Sequence, residues 1–178
     1  MEMPVLHEFS RCFSIADLNL DEAVLEIAAD AEERAALARR FGLVALDALA
    51  ATVRLKRVVG GAVRLCGRFT AEVVQDCVVT LEPVAGALDE SIEVLFAPAG
   101  VESAEVDVVA EGEDMPEPLS GDAIDVGEVI AEHLGLALDP YPRRPGVVFE
   151  GVGAEARASA ADPADSPFAA LQNLKREV

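Results

Sequence analysis

At 178 residues the chain suits one domain with some tail better than two full domains. It is 52% hydrophobic, enough for a core, yet with no Trp and one Tyr it offers little to stack on a base or a sugar. Its 14 Lys and Arg face 33 Asp and Glu, and the resulting charge of −19 repels phosphate backbones and lipid heads unless charges segregate.

Taken in chain order, His7–Ile15 and Ala23–Ile27 read as short strands. Asp30 with Glu33 forms a capping-box pattern that predicts a helix over Ala31–Arg40, with Gly42 just past its end. The run Ala45–Val58 turns alternating towards its end, Gly60-Gly61 reverses the chain, and Ala62–Thr80 alternates again. That is the pattern of a hairpin. Ala87–Phe96 supplies another strand and Glu105–Val109 a further edge strand. Glu111–Ser120, acidic and Pro-containing, reads as a loop. Asp122 is expected to cap a helix over Ala123–Leu138, stopped by Pro140 and Pro142. Gly151–Asp165 is rich in Ala, Gly, Ser and Asp and reads as a flexible linker. The closing S-P-F-A-A-L-Q-N-L-K predicts a short amphipathic helix with Phe168, Leu171 and Leu174 on one face. The expected organisation is one domain over 1–150 and a linker with short helix over 151–178.

Charge is segregated along this order. Residues 34–68 carry eight bases and one acid, whereas residues 69–142 carry eighteen acids and no Lys or Arg. In the hairpin, period-two geometry puts Val53, Leu55, Val63, Leu65 and Phe69 on one face and Arg54, Lys56, Arg64 and Arg68 on the other. Four cations on one surface suit contact with a few phosphates. The competing reading pairs them with the chain's own carboxylates. For the acidity itself, the competing reading is simple solubility.

Catalytic chemistry finds little support. His7 and His133 are the only histidines, no C-x-x-C occurs, and H-E-x-x-H is absent, so no metal or other cofactor is expected. Cys77 reads as a small core residue in an alternating strand, with Asp76 and Glu72 raising its pKa. No phosphate-binding glycine loop or nucleophile elbow appears. Cys12, Cys66 and Cys77 are odd in number and widely spread, which points to reduced thiols in a cytosol. No apolar run approaches a membrane span, and the first residues lack a signal-peptide pattern. A cytoplasmic, non-enzymatic protein without a small-molecule substrate is the expectation.

The stretch V-V-Q-D-C-V-V-T-L-E-P-V, residues 73–84, resembles the YceD family of large-subunit rRNA accumulation proteins. Further landmarks agree in order: E-F-S-R, A-E-E-R-A-A-L-A, F-G-L-V-A-L, G-R-F-T-A-E-V-V-Q, the acidic P-E-P-L-S-G-D block through D-P-Y-P-R, and the closing S-P-F-A-A-L-Q-N-L-K. The resemblance spans nearly the whole chain and is greatest to alphaproteobacterial members. Gln75, Cys77, Thr80 and Pro83 occupy the motif positions. Many relatives place a second cysteine where Thr80 stands, and some carry further cysteines after the later helix, where this chain reads D-P-Y-P-R-R-P-G.

The resemblance implies a role in accumulation or processing of large-subunit rRNA, with rRNA or basic ribosomal and assembly proteins as partners. It brings no established catalytic residue. A different class of reading is an acidic adaptor that docks through the C-terminal helix. The expected fold is α+β: a mainly antiparallel, curved sheet, with closure towards a barrel left open, and two or three helices packed outside.

Overall fold

The computed structural model describes residues 7–18, 22–98, 116–119 and 121–148. The chain divides into two units, Met1–Arg144 and Pro145–Val178, and only residues 145–148 of the second are described. The expected boundary at 150/151, the strand over 105–109 and the helix bearing Phe168, Leu171 and Leu174 lie outside the described residues.

The elements in order are β1 (Cys12–Ser14), β2 (Glu22–Ala28), α1 (Ala31–Phe41), β3 (Ala45–Arg57), β4 (Val63–Asp76), β5 (Pro83–Pro98), β6 (Glu117–Leu119), β7 (Ala123–Asp125) and α2 (Val126–Ala137). Strands β2-β3-β4-β5-β6 form one sheet, antiparallel except for the parallel β5–β6 pair. β1 and β7 form a separate antiparallel ribbon.

The α+β class holds, but the sheet does not close. Its outer members β2 and β6 do not pair with each other, and β1 pairs with β7 in a ribbon of its own. Two helices are described. No described helix is long and apolar enough to cross a membrane.

Local chemistry explains most boundaries. Asp30 accepts the amides of Glu32 and Glu33, Glu33 returns the bond to the Asp30 amide, and Gly42 ends α1 in the left-handed conformation at φ 64°. The β3–β4 connection closes with the Val58 amide on the Ala62 carbonyl at 2.9 Å, while Gly60 and Gly61 take φ of 80° and 76°. Those angles would strain a residue bearing a side chain.

Two expectations need correction around α2. Ala123–Asp125 is not its first turn but strand β7, recruited by β1. The cap is therefore Asp125 rather than Asp122: its carboxylate accepts the amides of Gly127 at 3.1 Å and Glu128 at 3.3 Å. Likewise, residues 111–120 are not all loop, because Glu117–Leu119 forms β6 against Phe96–Pro98. The first strand is also shorter than the expected His7–Ile15: residues 7–11 are irregular and Ile15–Asp17 winds into a 3-10 turn, leaving Cys12–Ser14.

One face of the sheet is buried under the helices. Leu55, Leu65 and Val94 stand opposite one another across β3, β4 and β5, and all are buried. Leu37 of α1 and Ile130 and Leu134 of α2 complete this core. Burying each such side chain contributes about 1.5–3 kcal/mol. Gly67 faces inward between Val53 and Ile92, and a Cβ there would come within 2.5 Å of the Thr52 carbonyl oxygen. The other face of the sheet carries mostly polar and small residues, with Val24 and Leu95 among them.

Candidate functional site

The hairpin register assigns Arg54, Lys56, Arg64 and Arg68 to that outer face, whereas Arg57 stands opposite buried Val63 and donates to the Ile15 carbonyl at 2.9 Å. Arg54 lies opposite Cys66, and Lys56 opposite Arg64, with Arg68 opposite Thr52. The inward residues Val53, Leu55, Val63, Leu65 and Phe69 are all buried. The four cations are thus brought together as the alternation requires.

They are not bare. Arg54 pairs with Glu22 on β2 at 3.2 Å, and Arg64 donates to Glu93 on β5 at 2.7 Å. Arg68 donates to Asp89, holding that carboxyl below its ordinary pKa. Lys56 makes no ion pair among the described residues. The reading in which these cations pair with the chain's own carboxylates therefore describes three of the four. Cys66 shares this face; burial, then the charge of Glu93, pushes its thiol pKa up. Near Arg68 a groove of about 550 Å³ is floored by small residues, among them Ala28, Ala50, Thr52 and Thr70.

At the far end of β4 the motif residues gather into a second feature. Cys77 follows the strand and is fully buried; its amide donates to the Glu82 carbonyl at 2.8 Å, and its own carbonyl accepts from Leu81 at 2.9 Å. Thr80 Oγ1 accepts the Glu82 amide at 3.4 Å, and Pro83 then opens β5. Leu81 sits at φ 57°, a conformation that costs a non-glycine residue about 1–2 kcal/mol.

This turn is clamped to the segment after α2. The Val78 amide donates to the Pro142 carbonyl at 2.9 Å, Gln75 Nε2 to the Asp139 carbonyl at 3.0 Å, and the Arg144 amide to Cys77 Sγ at 3.4 Å. Arg144 also pairs with Glu82. Val78, Leu81 and Tyr141 are exposed on the two loops. The thiol of Cys77 is lowered to about 6 by the Thr80 hydroxyl, then by the amides of Arg144, Thr80 and Val79, against the opposing effect of burial. This corrects the expectation of a raised pKa, because donors aimed at the sulfur outweigh Asp76 and Glu72 nearby in sequence.

The YceD family model, described as large ribosomal RNA subunit accumulation protein, matches residues 65–175. The chain belongs to the YceD family. No curated protein and no solved structure matches it. The YceD match takes in Arg68 and the whole clamp from Gln75 to Arg144, while Arg54, Lys56 and Arg64 precede it. The earlier landmarks, E-F-S-R and the α1 sequence, also precede it.

A metal of the kind suggested by cysteine pairs in YceD relatives does not fit here. Cys77 Sγ is met by backbone N–H and a hydroxyl, and no group of three or more His, Cys, Asp or Glu able to hold a metal occurs among the described residues. Hydrogen bonds join the two loops where chelation would need ligands. The contact of Asp139, Pro142 and Arg144 with the Cys77 turn had no signal in the sequence beyond the D-P-Y-P-R landmark and the prolines that stop α2.

Proposed function

We propose that this YceD-family chain is a non-enzymatic, cytoplasmic factor in large ribosomal-subunit assembly that supports accumulation or processing of the large-subunit rRNA. The observation that carries the reading is the family match over residues 65–175. Of the two contacts open to such a factor, a basic ribosomal or assembly protein is the better supported. Three of the four hairpin cations are already engaged by carboxylates, and residues 69–142 hold eighteen acids and no Lys or Arg. A surface of that sign attracts basic partners and repels phosphate.

Deleting the gene and measuring precursor and mature large-subunit rRNA tests this. A fall in mature rRNA with a rise in precursor is the expected result; unchanged levels would overturn it. Crosslinking in cells, with RNA and protein adducts read separately, then assigns the contact. Adducts to basic proteins on the acidic half are expected, and RNA adducts concentrated on Arg54–Arg68 would reverse that choice.

A further inference from the structure

β5 runs over Pro83–Pro98, yet on the side away from β4 it has a strand partner only at Phe96–Pro98. From Pro83 to Leu95 that edge has no strand partner among the described residues. An unpaired edge presents backbone donors and acceptors to any extended chain, and proteins ordinarily blunt it with lysine, proline or a bulge.

The opposite edge shows what blunting looks like. The end of β2 is closed by Arg11 on the Ala28 carbonyl and Arg34 on the Ala29 carbonyl. β5 has no lysine, keeps proline to its two ends, and holds continuous register with β4 from Asp76↔Pro83 to Val63↔Phe96. Its stretch Val84–Leu88 reads V-A-G-A-L, with Ala85, Gly86 and Ala87 exposed. A groove of about 290 Å³ lies over the start of β5 and the neighbouring end of β4, lined by Val73, Gln75, Val84 and Leu88 and by Ala137 and Pro142. Small residues on the strand let another backbone come close.

We infer that the β5 edge over Val84–Ser91 accepts an extended segment of a Lys- and Arg-rich protein as an added strand. Charge selects that occupant. Residues 63–98 carry two bases and six acids, and both bases, Arg64 and Arg68, are paired on the outer face. Glu90 makes no ion pair among the described residues. A second copy of the chain would set Asp89, Glu90 and Glu93 of one edge against those of another, and like charges across strands are destabilising. RNA would meet one cation along the groove, Arg143. The inference deepens the assembly-factor reading and rests on it for the class of partner.

The test uses the full chain and a nine-residue peptide of alternating Lys and Val, with amide hydrogen exchange as the readout. Binding should slow exchange over residues 84–91. The same peptide with every amide methylated keeps its charge but loses its donors, and should bind about tenfold more weakly or worse, a loss equivalent to one or more hydrogen bonds. Ala87→Glu should tighten the unmethylated peptide by about two- to fivefold and Ala87→Lys weaken it by a similar factor, with unfolding midpoints measured alongside.

No binding, equal binding by the methylated peptide, or slowed exchange centred on Arg54–Arg68 would each overturn the inference. So would a short single-stranded RNA that protects the same amides of β5. A failed peptide test beside altered rRNA levels on gene loss removes this docking edge alone. Unchanged rRNA beside a successful peptide test removes the assembly role and leaves the edge.

Discussion

Arg64 and Glu93 are diagonal, not direct, neighbours: Arg64 lies opposite Leu95 and Glu93 opposite Cys66, yet their side chains meet at 2.7 Å. Arg68 and Asp89 repeat the same offset on the same pair of strands, and Arg54 reaches Glu22 with the same offset across β2–β3. Right-handed sheet twist shortens one diagonal and lengthens the other, which accounts for the common sense of all three pairs. Glu93→Gln together with Asp89→Asn should release Arg64 and Arg68 from these carboxylates. Binding of a single-stranded RNA, followed by fluorescence anisotropy at several salt concentrations, should then tighten and its log–log salt slope steepen by about 0.7 per phosphate newly contacted. An unchanged slope would mean that these carboxylates do not restrain the cations.

Asp125 ties two segments together. It accepts the Ser10 hydroxyl and the Arg11 amide, each at 2.7 Å, and caps α2 through Gly127 and Glu128. Asp125→Ala should therefore destabilise the fold by about 1–3 kcal/mol, read from urea unfolding at neutral pH. Burial raises its pKa, but Ser10 and the amides of Arg11 and Glu128 outweigh this, so the net direction is down. A depressed carboxyl pKa stabilises the fold above the unfolded value and ceases to do so as pH falls through the folded value. The gap between wild type and Asp125→Ala should accordingly shrink in acid.

Cys77 has the same sign of linkage in a higher window. Its folded pKa of about 6 lies below the ordinary thiol value of 9.0, so the folded state favours the thiolate increasingly as pH rises from about 6 to about 9. Unfolding curves of wild type and Cys77→Ser should diverge over that interval, with wild type gaining. Low pKa does not confer access, however. Under native conditions a thiol-alkylating reagent followed by mass spectrometry should modify exposed Cys12 first and buried Cys77 last.

Gly127 is constrained by closeness. A Cβ there would stand 2.3 Å from the Phe9 carbonyl oxygen and 2.9 Å from the Arg11 amide nitrogen. Gly127→Ala should push the N-terminal segment off α2 and cost about 1–3 kcal/mol in denaturant unfolding. An unchanged midpoint would show that this segment yields freely.

Where one element carries its own punctuation, the sequence was a sufficient guide. Asp30, Glu33 and Gly42 delimit α1, and the alternation around Gly60-Gly61 sorts the hairpin's cations from its core residues. Prediction failed where distant chain decided the matter. Ala123–Asp125 reads as helix until β1 claims it as a strand, moving the cap from Asp122 to Asp125. The clamp on Cys77 joins residues sixty-seven positions apart, and nothing in local periodicity ties Arg144 to that sulfur. For the candidate surface, residue type placed the cations on one face, but only the strand register revealed which carboxylates neutralise them.

The β1–β7 ribbon also orders events in time. Cys12 pairs with Asp125, so the first described strand has no mate until residues more than a hundred positions later in the sequence have been made. The β2–β3–β4–β5 meander, built from successive neighbours, needs no such wait and closes shorter loops. The N-terminal segment is thus the last piece to lock. Through Asp125, which grips Ser10 and Arg11 while capping α2, formation of that helix is coupled to the placement of Ser10 and Arg11.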